Sequence, residues 1–132
     1  MKNTMKKLTA GGFAVATCAL FLFLTASPAL ATTVTECHAA IAIARAELAA
    51  VTIGGNNPVQ TRASLDSKLN TADLKLNQGK FADALQALTQ FRDKVLSLQS
   101  QGKISDGAGS VADLLTAANA AITCVNNLIL GI

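Results

Sequence analysis

The sequence contains no tryptophan and no tyrosine, one histidine and two prolines, and only 14% of its residues are charged. Of its 5 phenylalanines, Phe13, Phe21 and Phe23 precede Thr32, which leaves Phe81 and Phe91 for everything that follows. Aromatic platforms on which bases or sugars could stack are therefore scarce. The formal net charge of +3 comes from Lys2, Lys6 and Lys7. Beyond them, basic and acidic residues balance and are scattered along the chain. Such a chain has no basic footprint for a phosphate backbone or an anionic lipid surface, which argues against nucleic-acid binding. Strand alternation is missing as well, so the regular structure has to be helical.

Residues 1–31 read as a secretory signal peptide. The three lysines form a positive n-region, FAVATCALFLFL from Phe13 to Leu24 forms an apolar h-region, and Ala29-Leu30-Ala31 supplies the small-x-small pattern of a cleavage site, placing the cut before Thr32. The apolar run is shorter than the roughly 20 residues of a spanning helix and is broken by Ser27-Pro28, so no membrane anchor is expected after cleavage. Thr17 is a poor residue before a lipid-modified Cys18, and that reading is set aside. Residues 32–132 have the size of one small domain.

Four helical periods divide that domain. Cys37, Ile41, Ala44, Leu48 and Val51 recur at steps of four and three and form the stripe of a helix over 33–52. Gly54 to Pro58 breaks it. Asn57 as N-cap and Pro58 as first helical residue open a second helix over 58–78, with Leu65, Leu69, Ala72 and Leu76 inward. The third, over 80–101, carries Phe81, Ala84, Leu85, Leu88, Phe91, Val95 and Leu98. The fourth, over 110–130, is capped by Ser110 with Asp113 and carries Val111, Leu114, Leu115, Ala118, Ile122, Val125 and Ile129. Gly79 and Gly102 sit where a left-handed residue closes a helix, and the cost of Gly107 and Gly109 inside a helix pushes the fourth start past them. Short connections return each helix antiparallel beside the last, so the expected fold is all-α, an up-down-up-down four-helix bundle. Its exposed faces read Ser, Thr, Asn and Gln more than charge, and burial of the apolar stripes is expected to hold it rather than ion pairs.

In that topology Cys37, near the start of the first helix, and Cys124, near the end of the fourth, come to the same end. They are the cysteines left after signal removal, and the signal sends them to an oxidising compartment, so a Cys37–Cys124 disulfide is expected. Cys37-His38 resembles the tail of a haem-attachment motif, but Val34 stands where its first cysteine belongs. His38 has no second histidine to share a metal with, and is read as a surface residue beside the disulfide. No nucleophile elbow or Ser-x-x-Lys in a cleft is visible, and the acidic residues fall on outward positions. The expectation is no enzyme, no cofactor and no metal.

The run SLDSKLNTADLKLNQGKFADALQALTQFRDKVLSLQSQGKIS carries Leu65, Lys68, Leu69, the Gly79-Lys80 turn, Ala84, Leu88, Phe91, Val95 and the Gly102-Lys103-Ile104 turn, and Leu114 and Leu115 continue the pattern. In these features it resembles the FIMAH domain, a helical module attached to secreted bacterial enzymes and surface proteins. The resemblance spans about half of the chain after Thr32. It implies a secreted, noncatalytic accessory or interaction module, in the periplasm or outside the cell, whose partner is an unidentified protein or envelope component. The expected contact face is the outer side of the third helix, with Gln86, Gln90, Arg92, Asp93 and Lys94. The other reading is a carrier holding a small apolar ligand in the bundle interior.

Overall fold

The computed structural model describes residues 32–132, and the signal-peptide reading of 1–31 lies outside them. The first described helix, α1 (Val34–Ala50), opens on a capping box. Thr33 Oγ1 accepts from the Glu36 amide at 3.2 Å, and Glu36 Oε2 accepts from the Thr33 amide at 2.7 Å. Two otherwise orphaned donors are satisfied reciprocally. α1 ends two residues earlier than its period predicts, because Val51 turns extended (φ −88°, ψ 161°) and Thr52–Ile53 form a short strand, β1.

α2 (Pro58–Asn77) and α3 (Phe81–Ser100) close with the same device. Gly79 (φ 74°) and Gly102 (φ 69°) are left-handed. The following amides, of Lys80 and Lys103, reach back 2.8 Å to the carbonyls of Lys75 and Leu98. Only glycine adopts this geometry without β-carbon strain, so the two Gln-Gly-Lys turns stop their helices as expected. Ile104–Ser105 then form β2, antiparallel to β1, with Thr52 opposite Ser105 and Ile53 opposite Ile104. Period reading misses this pair because two residues are too few to alternate. Val51, Ile53 and Ile104 are buried, so the bridge also seals that end of the core.

α4 (Val111–Leu130) starts at Ser110, whose Oγ accepts from the Asp113 amide at 3.0 Å. Before it, Asp106 Oδ1 accepts from the Val111 amide at 2.8 Å, and the Gly109 amide donates to the Ala50 carbonyl at 3.0 Å. α4 is long and apolar enough to cross a membrane by length and composition alone. In this fold its Leu114, Ala117, Ala118, Ala121 and Val125 are buried in the bundle core.

Among the described residues the architecture is therefore four helices and one two-stranded bridge, an all-α bundle forming a compact unit over Thr32–Ile132. Each helix packs on its two neighbours, α1 on α2, α2 on α3, α3 on α4, and α4 back on α1. The start of α1 meets the end of α4, the loops carrying β1 and β2 meet each other, and the path is compatible with up-down-up-down. The core holds Phe91, Ile41, Leu65, Leu69, Leu76, Leu88 and Leu114, each worth about 1.5–3 kcal/mol when fully buried. Ala44, Ala72, Ala84, Ala87, Ala117, Ala118 and Ala121 are buried as well and let the helices approach closely.

One expected core position is wrong. Ile129 is 45% exposed, because the inward line of α4 runs from buried Val125 to Leu128, which packs against the core, and leaves Ile129 to one side of it. Phe81, Leu85, Leu115 and Ile122 are only partly buried at the edge of the core.

Candidate functional site

The seams of the bundle are not alike. Among the described residues, every side-chain hydrogen bond between two different helices, and every side-chain cap from one helix onto another, falls between α1 and α2. His38 Nδ1 donates to Asp73 Oδ1 at 2.8 Å, and its Nε2 lies 3.0 Å from Asn77 Oδ1. Arg45 donates from Nε to Asp66 Oδ1 at 3.0 Å, and from Nη2 to Asn70 Oδ1 and to Asp73 Oδ2, the last at 3.4 Å. Arg62, one turn into α2, donates to the carbonyls of Leu48 and Val51 at the end of α1. It thereby covers two of the carbonyls that a helix C-terminus leaves unpartnered.

The spacing explains the ladder. Asp66, Asn70, Asp73 and Asn77 follow one another at steps of four, three and four along α2, so they line one edge of that helix. His38 and Arg45 stand seven residues apart on α1 and face that edge. His38 pairs low on α2 and Arg62 pairs high on α1, which makes these two helices antiparallel. The reading of His38 as a plain surface residue is thereby corrected: the ring is half-buried and held between two α2 side chains. The seam's ion pairs remain accessible to water, so each contributes no more than about 1 kcal/mol. Their larger consequence is register, since a one-turn slip of α1 on α2 would unpair several groups at once.

α1 and α2 also pack more loosely than the other neighbouring helices. Beside the ladder, toward the β1 end, the seam widens into a groove of about 400 Å³, open along one side. Leu48, Ala49, Pro58, Val59 and Ala63 give it aliphatic walls, and Arg45, Arg62 and Asp66 give it a charged rim. Val59 is 82% exposed there, an apolar side chain held in water.

The expected contact face on α3 is divided by the structure. Gln86 and Gln90 are exposed and line a second, more polar groove of about 230 Å³ with Thr71, Lys75, Asp83 and Ala87 of the α2–α3 seam. Asp93 and Lys94 are exposed, but Arg92 is half-buried and donates to its own neighbour Asp93 at 3.2–3.3 Å. Helical spacing turns Arg92 well away from the line of Gln86, Gln90 and Asp93. The disulfide is where the sequence puts it: Cys37 and Cys124 are bonded, with α-carbons 5.4 Å apart. Among the described residues no three His, Cys, Asp or Glu side chains converge as a metal site would require.

No protein-family model, curated protein or solved structure matches this chain.

The groove and the ladder were not read from the sequence. The signal that could have found them is the polar period Asp66, Asn70, Asp73, Asn77 on α2, which repeats like an apolar stripe and marks a second, polar contact edge. His38 and Arg45 are its counterpart on α1.

Proposed function

We propose that the protein is an exported, noncatalytic helical module that acts by binding, in the periplasm or outside the cell, as its FIMAH-like features imply. The observation that carries this reading is the Cys37–Cys124 disulfide, since such a bond persists in oxidising compartments and is rare in reducing ones. It agrees with the leader-like pattern before Thr32. Binding is favoured over chemistry because the charged side chains that come together, at the α1–α2 seam, are engaged in joining two helices.

For a protein or envelope partner, the proposed surface is the α3 side with Gln86, Gln90, Asp93 and Lys94, continued by Lys75 and Thr71 of α2. The test uses protein recovered from the producing cell. Its intact mass is expected to begin at Thr32 and to be two hydrogens short of the reduced chain. Chemical cross-linking in the envelope fraction is expected to join a partner at Lys94 or Lys75. Reversing charge at exposed Lys94 should leave stability within about 0.5 kcal/mol, as for ordinary surface changes, and weaken the cross-link that remains at Lys75. A mass retaining Met1 counts against export, and unchanged cross-linking removes this face.

A second reading is favoured by the α1–α2 groove: a carrier of small apolar molecules. The expected place for the ligand was the bundle interior. A groove of about 400 Å³ with aliphatic walls, within the size range of small-molecule sites, supports an outer seam as the place of this reading's ligand.

A further inference from the structure

We infer that the α1–α2 groove binds a small aliphatic carboxylate, a medium-chain fatty acid in chemical terms, with the carboxylate on Arg62 and the alkyl chain across Ala49, Val59 and Ala63. This rests on the carrier reading and names its ligand class.

The argument begins with Arg62. Among the described residues the other two guanidinium groups have carboxylates within ion-pair distance, Arg45 with Asp66 and Asp73, and Arg92 with Asp93. Arg62 has none. Its acceptors are the carbonyls of Leu48 and Val51 at the end of α1, whose partial negative charge is the only counter-charge it touches. It is half-buried, which strips some of the water that would otherwise screen that charge. A guanidinium carries five N–H donors, and the two carbonyls leave several of them for a further acceptor. A carboxylate meets this need in charge and in geometry. Asp66, also on the rim, pairs with Arg45 Nε at 3.0 Å and lies beyond ion-pair distance of Arg62.

The rest of the groove selects what the carboxylate is attached to. Its walls are aliphatic, with no aromatic ring to stack on a planar ligand. An extended polypeptide would need main-chain partners, yet the carbonyls of Leu48 and Val51 are already occupied. The volume of about 400 Å³ lies at the small end of ligand pockets and suits a single short chain.

The test is a titration of the isotope-labelled exported protein, disulfide intact, with octanoate, octanol and octyltrimethylammonium, followed by amide chemical shifts. The proposal expects saturable shifts with octanoate around Leu48, Ala49, Val59 and Ala63, in the millimolar range or tighter for a ligand of this size. Octanol should bind roughly tenfold more weakly for want of the charge-assisted hydrogen bond, and the cation more weakly still. Arg62→Met should bring octanoate down to octanol. Because that change also uncovers the end of α1, Val59→Asp provides an independent check: the side chain is 82% exposed, so folding persists while the groove turns acidic and octanoate binding is lost. Equal binding of octanoate and octanol overturns the proposal while leaving an apolar carrier standing. Absence of saturable shifts with any of the three, or shifts lying elsewhere on the bundle, overturns both. Capture of an envelope partner through α3 is unaffected by either result.

Discussion

Gly107 and Gly54 show how differently two glycines of one fold can be constrained. Neither has a positive φ, so neither is needed for backbone conformation. A β-carbon on Gly107 would lie 2.6 Å from the Ala50 carbonyl oxygen and 2.8 Å from Thr52 Oγ1, contacts that require the backbone to move. One on Gly54 would meet nothing within 4 Å. Gly107→Ala is therefore expected to destabilise by roughly 1–3 kcal/mol, as overpacking does. Gly54→Ala should be neutral or stabilise by up to about 1 kcal/mol through the unfolded state. Urea unfolding of the two variants side by side decides it, and equal midpoints would refute the close-approach account. From the sequence, Gly107 reads only as a poor helix residue. The reason it is needed, the end of α1 pressed against the turn before α4, lies more than fifty residues away in the chain, and no local pattern carries it.

At the scale of elements, the same contrast separates two helix starts that look alike in sequence. Ser110 and Asn57 are both good N-cap residues by type. Ser110 Oγ accepts from the Asp113 amide, whereas Asn57 makes no side-chain cap bond, its backbone at φ −133° and ψ 70° lying outside the extended region usual for a cap. Ser110→Ala is thus expected to cost about 0.5–2 kcal/mol and to speed amide exchange in the first turn of α4. Asn57→Ala should cost less than half as much, and a larger loss at Asn57 than at Ser110 would reverse this account. The helices themselves were legible because Leu65, Leu69, Ala72 and Leu76, or Leu88, Phe91, Val95 and Leu98, repeat at the α period, and all of these are buried. Ala87, Ala117 and Ala121 were not legible as core, because alanine marks neither face. The β bridge escaped because two residues have no period. The His38, Arg45 and Arg62 pairings escaped because they depend on which helix lies beside which.

For the whole molecule, the question is what closes the ring of four helices. Three of the four seams are bridged by a short connection between consecutive helices; the fourth, α4 to α1, joins the two helices farthest apart in sequence. Cys37 and Cys124 bind it, 87 residues apart in the chain. A cross-link over so long a loop removes unfolded-state entropy worth about 4 kcal/mol on the chain-entropy argument, a large share of the 5–15 kcal/mol typical of a domain. At the other end of the bundle the two remaining loops are tied by backbone bonds without a covalent link, the β1–β2 pairs together with Gly54 N–H to the Lys103 carbonyl and Gly109 N–H to the Ala50 carbonyl. Reduction should therefore lower the urea midpoint strongly and raise the slope, because the released chain expands further on unfolding. The Cys37→Ala, Cys124→Ala double variant should behave like the reduced protein, less a small loss of packing at fully buried Cys37. Without the bond, α1 is held to α2 by the accessible ladder of His38, Arg45 and Arg62 and to α4 by apolar packing alone. Amide exchange in the reduced protein should consequently quicken in α1 before it does in α2 and α3, whose seam has neither a disulfide nor a polar ladder to lose. Uniform quickening across all four helices would show instead that the bond stabilises the bundle only as a unit, and an unchanged midpoint would remove the disulfide from the account of stability.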